Sequence, residues 1–284
     1  MQADKITEEI LYKVIKNRQS DTYKSKYGRI LLIGGSENYG GAIIMSTEGT
    51  INSGAGLTAV ATHSINLSAL HSRDPEAMFI DWKDNNLGNL IKKMDVIVCG
   101  PGLGNSSSAV KVMQTLKQNV TEKQTVILDA SALDLISVNK EFMPLNAGYL
   151  ILTPHQIEWQ RLSKLQIPYQ SDSANLAALK QLVPTNNAAL VLKSNHTHVY
   201  FSNDEVYINT SGNPGMAIGG MGDTLSGIIG GFVAQFGYTK ETILAAVYLH
   251  SYVADLIYKN NYIVKPTEIS KMLPKVMKSF VKGD

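Results

Sequence analysis

Cysteine is almost missing from this chain. Cys99 is alone among 284 residues, which rules out an intrachain disulfide and points to a reducing, cytoplasmic setting. Its place in the run Val96-Ile97-Val98-Cys99 makes it a small buried hydrophobe. Charge is also unblocked. The 26 basic and 24 acidic residues leave a net charge of +2, and no basic cluster offers a footing for nucleic acid or an anionic membrane. No secretory signal is visible, and the first 21 residues, charged throughout, read as an amphipathic helix. The longest apolar stretch, Ile218 to Phe236, is broken by Asp223 and several glycines. It reads as a buried helix rather than a membrane span.

What the chain does have is alternation. Short apolar, β-branched runs (Arg29–Ile33, Leu57–Thr62, Asp95–Cys99, Thr125–Asp129, Tyr149–Leu152) alternate with loops and helical patterns, among them Ala42–Ser53, Ser107–Lys117 and a helix running through Leu162. That order predicts an α/β fold with a mostly parallel sheet covered on both faces. The runs Ala189–Lys193, His196–Phe201 and Glu205–Ile208 lie close together, the last two around a Ser202-Asn203-Asp204 turn, and predict an antiparallel edge. Helical patterns over Thr224–Gln235, Lys240–Tyr258 and Lys265–Phe280 complete a single domain spanning 1–284. In such a sheet, ligands gather at the C-terminal ends of the strands.

The segment Asn213-Pro214-Gly215-Met216-Ala217-Ile218-Gly219-Gly220-Met221-Gly222-Asp223-Thr224 is the most informative. Its glycines allow close backbone approach, and the helix start behind them is an anion cradle. Asp223 beside that cradle suggests proton removal from a hydroxyl next to a nucleotide phosphate. A plain N-cap is the competing reading. The helix terminus should lower the Asp223 pKa, and a bound phosphate should raise it.

Four weaker signals end other strands. Gly100-Pro101-Gly102-Leu103-Gly104 reads as a wall that a ligand can approach, or simply as a rigid turn. In Thr153-Pro154-His155-Gln156-Ile157-Glu158, Thr153 can cap a helix with Pro154 in its first position. Alternatively, His155 binds substrate and Glu158 holds Mg²⁺ through water. Lys193-Ser194-Asn195-His196-Thr197 is either a solvated hairpin or a phosphate and ribose contact. Asp129 is a helix cap or a substrate or metal group, and His63 and His71 read as structural.

Six segments together resemble the ADP/ATP-dependent NAD(P)H-hydrate dehydratases of the ribokinase-like superfamily. They are Gly34–Ala42 (GGSENYGGA), Gly100–Gly104 (GPGLG), Leu128–Leu133 (LDASAL), Leu152–Glu158 (LTPHQIE), Val191–Thr197 (VLKSNHT) and Asn213–Ile229. The resemblance implies a ribokinase-like three-layer α/β/α fold. It implies a repair lyase that uses ADP or ATP, with Mg²⁺, to remove water from the S-epimer of hydrated NADH or NADPH. The route is phosphorylation of the C6 hydroxyl followed by loss of phosphate. By resemblance, Asp223 is the general base, and Ala42, Gly104, His155 and Asp223 line the substrate site. Lys193, Ser194, Asn195, His196, Thr197 and Gly222 contact the nucleotide, and Glu158 assists Mg²⁺. A homotetramer and a separate epimerase for the other epimer are implied as well. KSNHT departs from the family's glycine-rich KGxGT-like loop, and Gln-Ile follows TPH where Pro-Gly is common. The other readings are a superfamily kinase for a vitamin-type alcohol and a non-catalytic nucleotide-binding module.

Overall fold

The structure, a computed structural model, describes residues 3–185 and 187–281. The strands are β1 (Asp4–Lys5), β2 (Arg29–Ile33), β3 (Leu57–Thr62), β4 (Met78–Asp81), β5 (Val96–Cys99), β6 (Thr125–Leu128), β7 (Tyr149–Leu152), β8 (Ala188–Leu192), β9 (His198–Phe201) and β10 (Val206–Ile208). They form one sheet in the order β1-β10-β9-β8-β7-β6-β5-β2-β3-β4. From β8 to β4 every neighbouring pair is parallel. β9 runs antiparallel to β8 and β10, and β1 returns parallel to β10.

Alternate residues of each strand point to opposite faces, and both faces are apolar. Ile30, Leu32, Val98 and Ile127 enter one core, while Leu31, Ile33, Ile97 and Leu128 enter the other. The first core is covered by α1 (Glu9–Val14), α2 (Gly40–Asn52), α3 (Leu67–Arg73), α9 (Met221–Phe236), α10 (Lys240–Tyr258) and α11 (Pro266–Ser279). The second is covered by α4 (Leu87–Ile91), α5 (Ser107–Asn119), α6 (Ala130–Val138), α7 (Gln156–Ser163) and α8 (Asp172–Leu182).

Two glycines explain how α9 lies so close to α2. A Cβ on Gly227 would run into the Ser46 carbonyl, and one on Gly231 would lie 2.7 Å from the Thr50 carbonyl. Thr50 Oγ1 donates to the Gly227 carbonyl at 2.9 Å, tying the two backbones together. Among the described residues no helix is long and apolar enough to cross a membrane.

Two expectations need correction. The N-terminal segment is not one amphipathic helix: Asp4–Lys5 pairs with β10, Ile6 N–H donates to the Ile208 carbonyl at 3.0 Å, and only Glu9–Val14 is helical. The unpaired edge of β10 outcompetes local helix propensity. The helix carrying Asp223 starts at Met221 and not at Thr224, because Gly220 (φ 95°) forms the left-handed step into it.

Candidate functional site

Four chain segments meet at the C-terminal edge of the sheet. Asp129 follows β6, His155 follows β7, Lys193 follows β8, and Asp223 lies in the first turn of α9. Asp129 occupies the N-cap position of α6 but makes no capping bond with its side chain. Instead Asp129 Oδ1 accepts from Lys193 Nζ at 2.8 Å, with Asp129 only 1% exposed and the lysine side chain 19% exposed. The other oxygen, Asp129 Oδ2, is buried with no partner among the described residues.

The cap of α7 is His155, which corrects the expectation of Thr153 there with Pro154 in the helix. Thr153 still belongs to the strand ladder, its N–H donating to the Leu128 carbonyl at 3.0 Å. His155 Nδ1 accepts from the Ile157 and Glu158 N–H groups at 3.2 Å, and Glu158 Oε2 accepts from the His155 N–H at 2.8 Å. This reciprocal box fixes the imidazole. With Nδ1 accepting, the neutral ring carries its proton on Nε2, 3.5 Å from Glu158 Oε1. The ring is half exposed, at 48%.

Lys193 joins this pair to α9. Its N–H donates to the Pro154 carbonyl at 2.8 Å, and its ammonium lies 3.0 Å from where a Gly222 Cβ would stand. A side chain at 222 would displace that ammonium. Asp223 is the third residue of α9, one turn inside Gly220, and so is not the N-cap.

The electrostatics follow from one ammonium among three carboxylates. Burial first, then Asp129 and Glu158, raise the Asp223 pKa to about 6 against the pull of Lys193. The anticipated lowering by the helix terminus loses to desolvation. Burial also raises Glu158, while Lys193 and the His155 N–H act to lower it. For Lys193 burial favours the neutral amine, yet Asp129, Glu158 and Asp223 outweigh it and hold the lysine charged. A carboxylate with a pKa near 6 is ionised at neutral pH and basic enough to accept a proton.

Beside this cluster is a cavity of about 320 Å³. Lys193, Ser194, Asn195, Thr197 and Gly222 line it, facing Met216, Leu225 and Val247. His196 does not. Its carbonyl accepts from Ser194 Oγ at 2.6 Å and lies 3.0 Å from His198 Nδ1, which folds the KSNHT loop on itself. His250, 4% exposed, also lines the cavity, and burial pushes its pKa down to about 4, leaving a neutral ring. Sequence reasoning missed this residue, because a lone histidine inside an apolar helix carries no signal.

Ala42 and Gly104 sit apart from that cavity, where GPGLG meets the 34–42 loop. Gly35 N–H donates to the Pro101 carbonyl at 2.9 Å and Ser36 N–H to the Gly102 carbonyl at 2.6 Å. A Cβ on Gly100 would meet the Asp129 carbonyl, and one on Gly102 the Tyr39 carbonyl. These two glycines therefore serve protein packing rather than ligand approach. Gly104 (φ 74°) has only Ser36 near it, at 3.3 Å, and leaves backbone open. His63 is tied down as anticipated for a structural residue, with Nδ1 accepting from the Ile65 N–H and Nε2 3.1 Å from Glu37.

A mostly parallel α/β/α sheet with antiparallel edge strands, and an acid in the glycine-led first turn of a late helix, defines a ribokinase-like protein. A ribokinase-like superfamily protein of Enterococcus faecalis V583 has this structure, with a TM-score of 0.94 at 46% identity over 99% of this chain and 97% of that one. The ADP/ATP-dependent NAD(P)H-hydrate dehydratase of Bacillus subtilis, co-crystallised with ATP/Mg²⁺, matches with a TM-score of 0.84 at 29% identity over 99% of each chain. In sequence, the ADP-dependent (S)-NAD(P)H-hydrate dehydratase of Enterococcus faecalis is 47% identical over 276 residues, covering 97% of this chain and 93% of that protein. A family model for NAD(P)H-hydrate dehydratase matches residues 30–275. The chain belongs to the NAD(P)H-hydrate dehydratase family.

Proposed function

We propose that this protein uses ADP or ATP to dehydrate the S-epimer of hydrated NADH and NADPH. The observation that carries the mechanism is Asp223, half-buried within the field of Lys193 and next in the chain to Gly222 of the cavity wall, with a pKa near 6. Asp223 accepts the proton of the C6 hydroxyl as the hydroxyl oxygen bonds to the terminal phosphorus of the nucleotide, whose bridging P–O bond breaks to release AMP from ADP or ADP from ATP. Phosphate then leaves C6, an adjacent ring proton is lost, and the ring double bond returns. Phosphate is a far better leaving group than hydroxide, which accounts for the nucleotide. Lys193, Ser194, Asn195, Thr197 and Gly222 take the nucleotide phosphates, and charge stabilisation with positioning supplies the rate. His155, Ala42 and Gly104 hold the substrate from the other side, with the imidazole Nε2–H as donor. His196 contributes through its carbonyl, by shaping the loop.

Mg²⁺ fits the charge pattern. Glu158 through water, together with the unpartnered Asp129 Oδ2, would hold it, and bound Mg²⁺ neutralises charge on the transferring phosphoryl group. Among the described residues no three or more His, Cys, Asp or Glu side chains form a metal site, so phosphate oxygens and water must complete the shell. A single domain over 1–284, a homotetramer, a cytoplasmic setting and a separate epimerase supplying the S form belong to the same reading. The one continuous sheet supports the first of these.

The test is direct. Protein, hydrated NADH, Mg²⁺ and either nucleotide should restore the reduced-nicotinamide absorbance. No recovery, with phosphorylation of a thiazole- or pyridoxine-type alcohol instead, would mean that the chain is a kinase.

A further inference from the structure

The 209–217 loop joins β10 to α9 and walls the nucleotide-side cavity with Ser211, Gly212, Asn213, Pro214, Met216 and Ala217. Two ties hold this loop against α10. In the first, Asn209 Nδ2 donates to Ser251 Oγ at 3.0 Å, while Asn209 Oδ1 accepts from the Ser211 N–H at 3.3 Å and from the Ser211 hydroxyl at 2.7 Å. One turn further along α10, Asp255 takes the next two residues. Its Oδ2 accepts from the Gly212 N–H at 3.0 Å, and its Oδ1 accepts from Asn213 Nδ2 at 2.7 Å.

Gly212 suits this second tie. Its φ of 116° would strain an L side chain, although a Cβ there would only touch Met216 Sδ at 3.5 Å and Ser251 Cβ at 3.8 Å. Space is available, so the backbone conformation is what calls for glycine. Asp255, in turn, is a poor residue for α10 itself. It lies in the last turn of the helix, where the macrodipole favours cations over a carboxylate. It does not line the cavity, whereas Val247, His250 and Ser251 of the same helix do. What Asp255 does is grip two residues of the cavity wall.

We propose that Asp255 is a positioning residue for nucleotide binding, which acts by holding Gly212 and Asn213 in the arrangement that accepts the nucleotide. This rests on the reading of the cavity as the nucleotide site and not on the dehydration step, since phosphoryl transfer to another alcohol would use the same site.

Calorimetric titration of the full-length protein with ADP tests the role without catalysis. Asp255→Ala should fold, because alanine favours a helix and residue 255 is only half-buried. With both bonds gone and the loop in its competent arrangement about a tenth of the time, the Kd for ADP should rise about 10-fold. The KM for the nucleotide should rise by the same factor, while kcat and the KM for hydrated NADH stay within about 2-fold of the parent, because saturating nucleotide restores the wall. Asp255→Asn should bring the Kd back to within about 3-fold of the parent, since its amide oxygen accepts from the Gly212 N–H and its NH₂ donates to Asn213 once that amide turns over. Asn213 Oδ1 is buried with no partner among the described residues, so turning it breaks no bond of its own. Unchanged ADP affinity in Asp255→Ala overturns the positioning role and leaves the nucleotide site standing. A fall in kcat with both KM values raised, or an Asp255→Asn protein as weak as Asp255→Ala, overturns it as well. A parent protein that binds neither ADP nor ATP overturns the nucleotide site itself, and the role of Asp255 with it.

Discussion

Asp223 is held in a state that serves chemistry at the expense of stability. Its pKa rises from 3.8 to about 6 on folding. The native state therefore binds a proton more tightly than the unfolded state, and above pH 6 the ionised acid opposes folding. At about 1.4 kcal/mol per pKa unit, the penalty is on the order of 1–3 kcal/mol after allowance for partial solvation. Asp223→Asn removes the charge and the base together. Turnover should fall on the order of 10² or more, while the unfolding midpoint in urea should rise. A variant that is active, or inactive but less stable, contradicts this account. The same value predicts an acid limb near pH 6 in kcat/KM. A rate that stays flat down to pH 5 would remove Asp223 as the base.

Among the elements, the glycines in and just before α9 divide by what surrounds them. Helix propensity favours Ala over Gly by about 1 kcal/mol, but a Cβ at 227 strikes the Ser46 carbonyl. Overpacking of that kind costs about 1–3 kcal/mol, so Gly227→Ala should lower the urea midpoint. Gly219 has no atom within 4 Å of an added Cβ, and Gly219→Ala should leave the midpoint nearly unchanged. The order of these variants is the measurement. Strands were legible because a doubly covered sheet makes continuous apolar runs, as in Arg29–Ile33 and Tyr149–Leu152. The starts of α7 and α9 were not, since each depends on a particular backbone or ring conformation: the left-handed Gly220 and the His155 imidazole turned back on its own helix. Asp129 could not be separated from a helix cap until Lys193, 64 positions away, was seen to claim it. Nor does sequence reveal that α10 walls the cavity with Val247 and His250, because packing alone brings that helix there.

Across the whole molecule, protonation should reshape stability in a defined direction. Asp74 is buried beside Glu48, and its pKa is raised to about 7, by burial first and then by Glu48, against the pull of Arg73. Arg73 pairs with Glu48, yet Asp74 Oδ2 and Glu48 Oε2 both lack partners among the described residues. Asp74 and Asp223 thus share one sign: each takes up a proton in the native state at a pH where the unfolded chain does not. Stability should climb as pH falls from 8 through 7 and then 6, by on the order of a few kcal/mol in total. Glu205 has the opposite sign. Its pKa is lowered by hydrogen bonds from Lys240 and Asn203, so its contribution is present above the unfolded carboxylate pKa and fades in more acidic solution. That fading is small because the Lys240–Glu205 pair lies at the surface with about a third of each side chain open to screening by water. The expected profile peaks near pH 5 rather than at neutrality, with Asp74→Asn flattening the limb around pH 7 and Asp223→Asn the limb around pH 6. Urea unfolding at half-unit pH steps gives the profile. A midpoint that falls steadily from pH 8 to pH 5 would mean that neither carboxylate is raised.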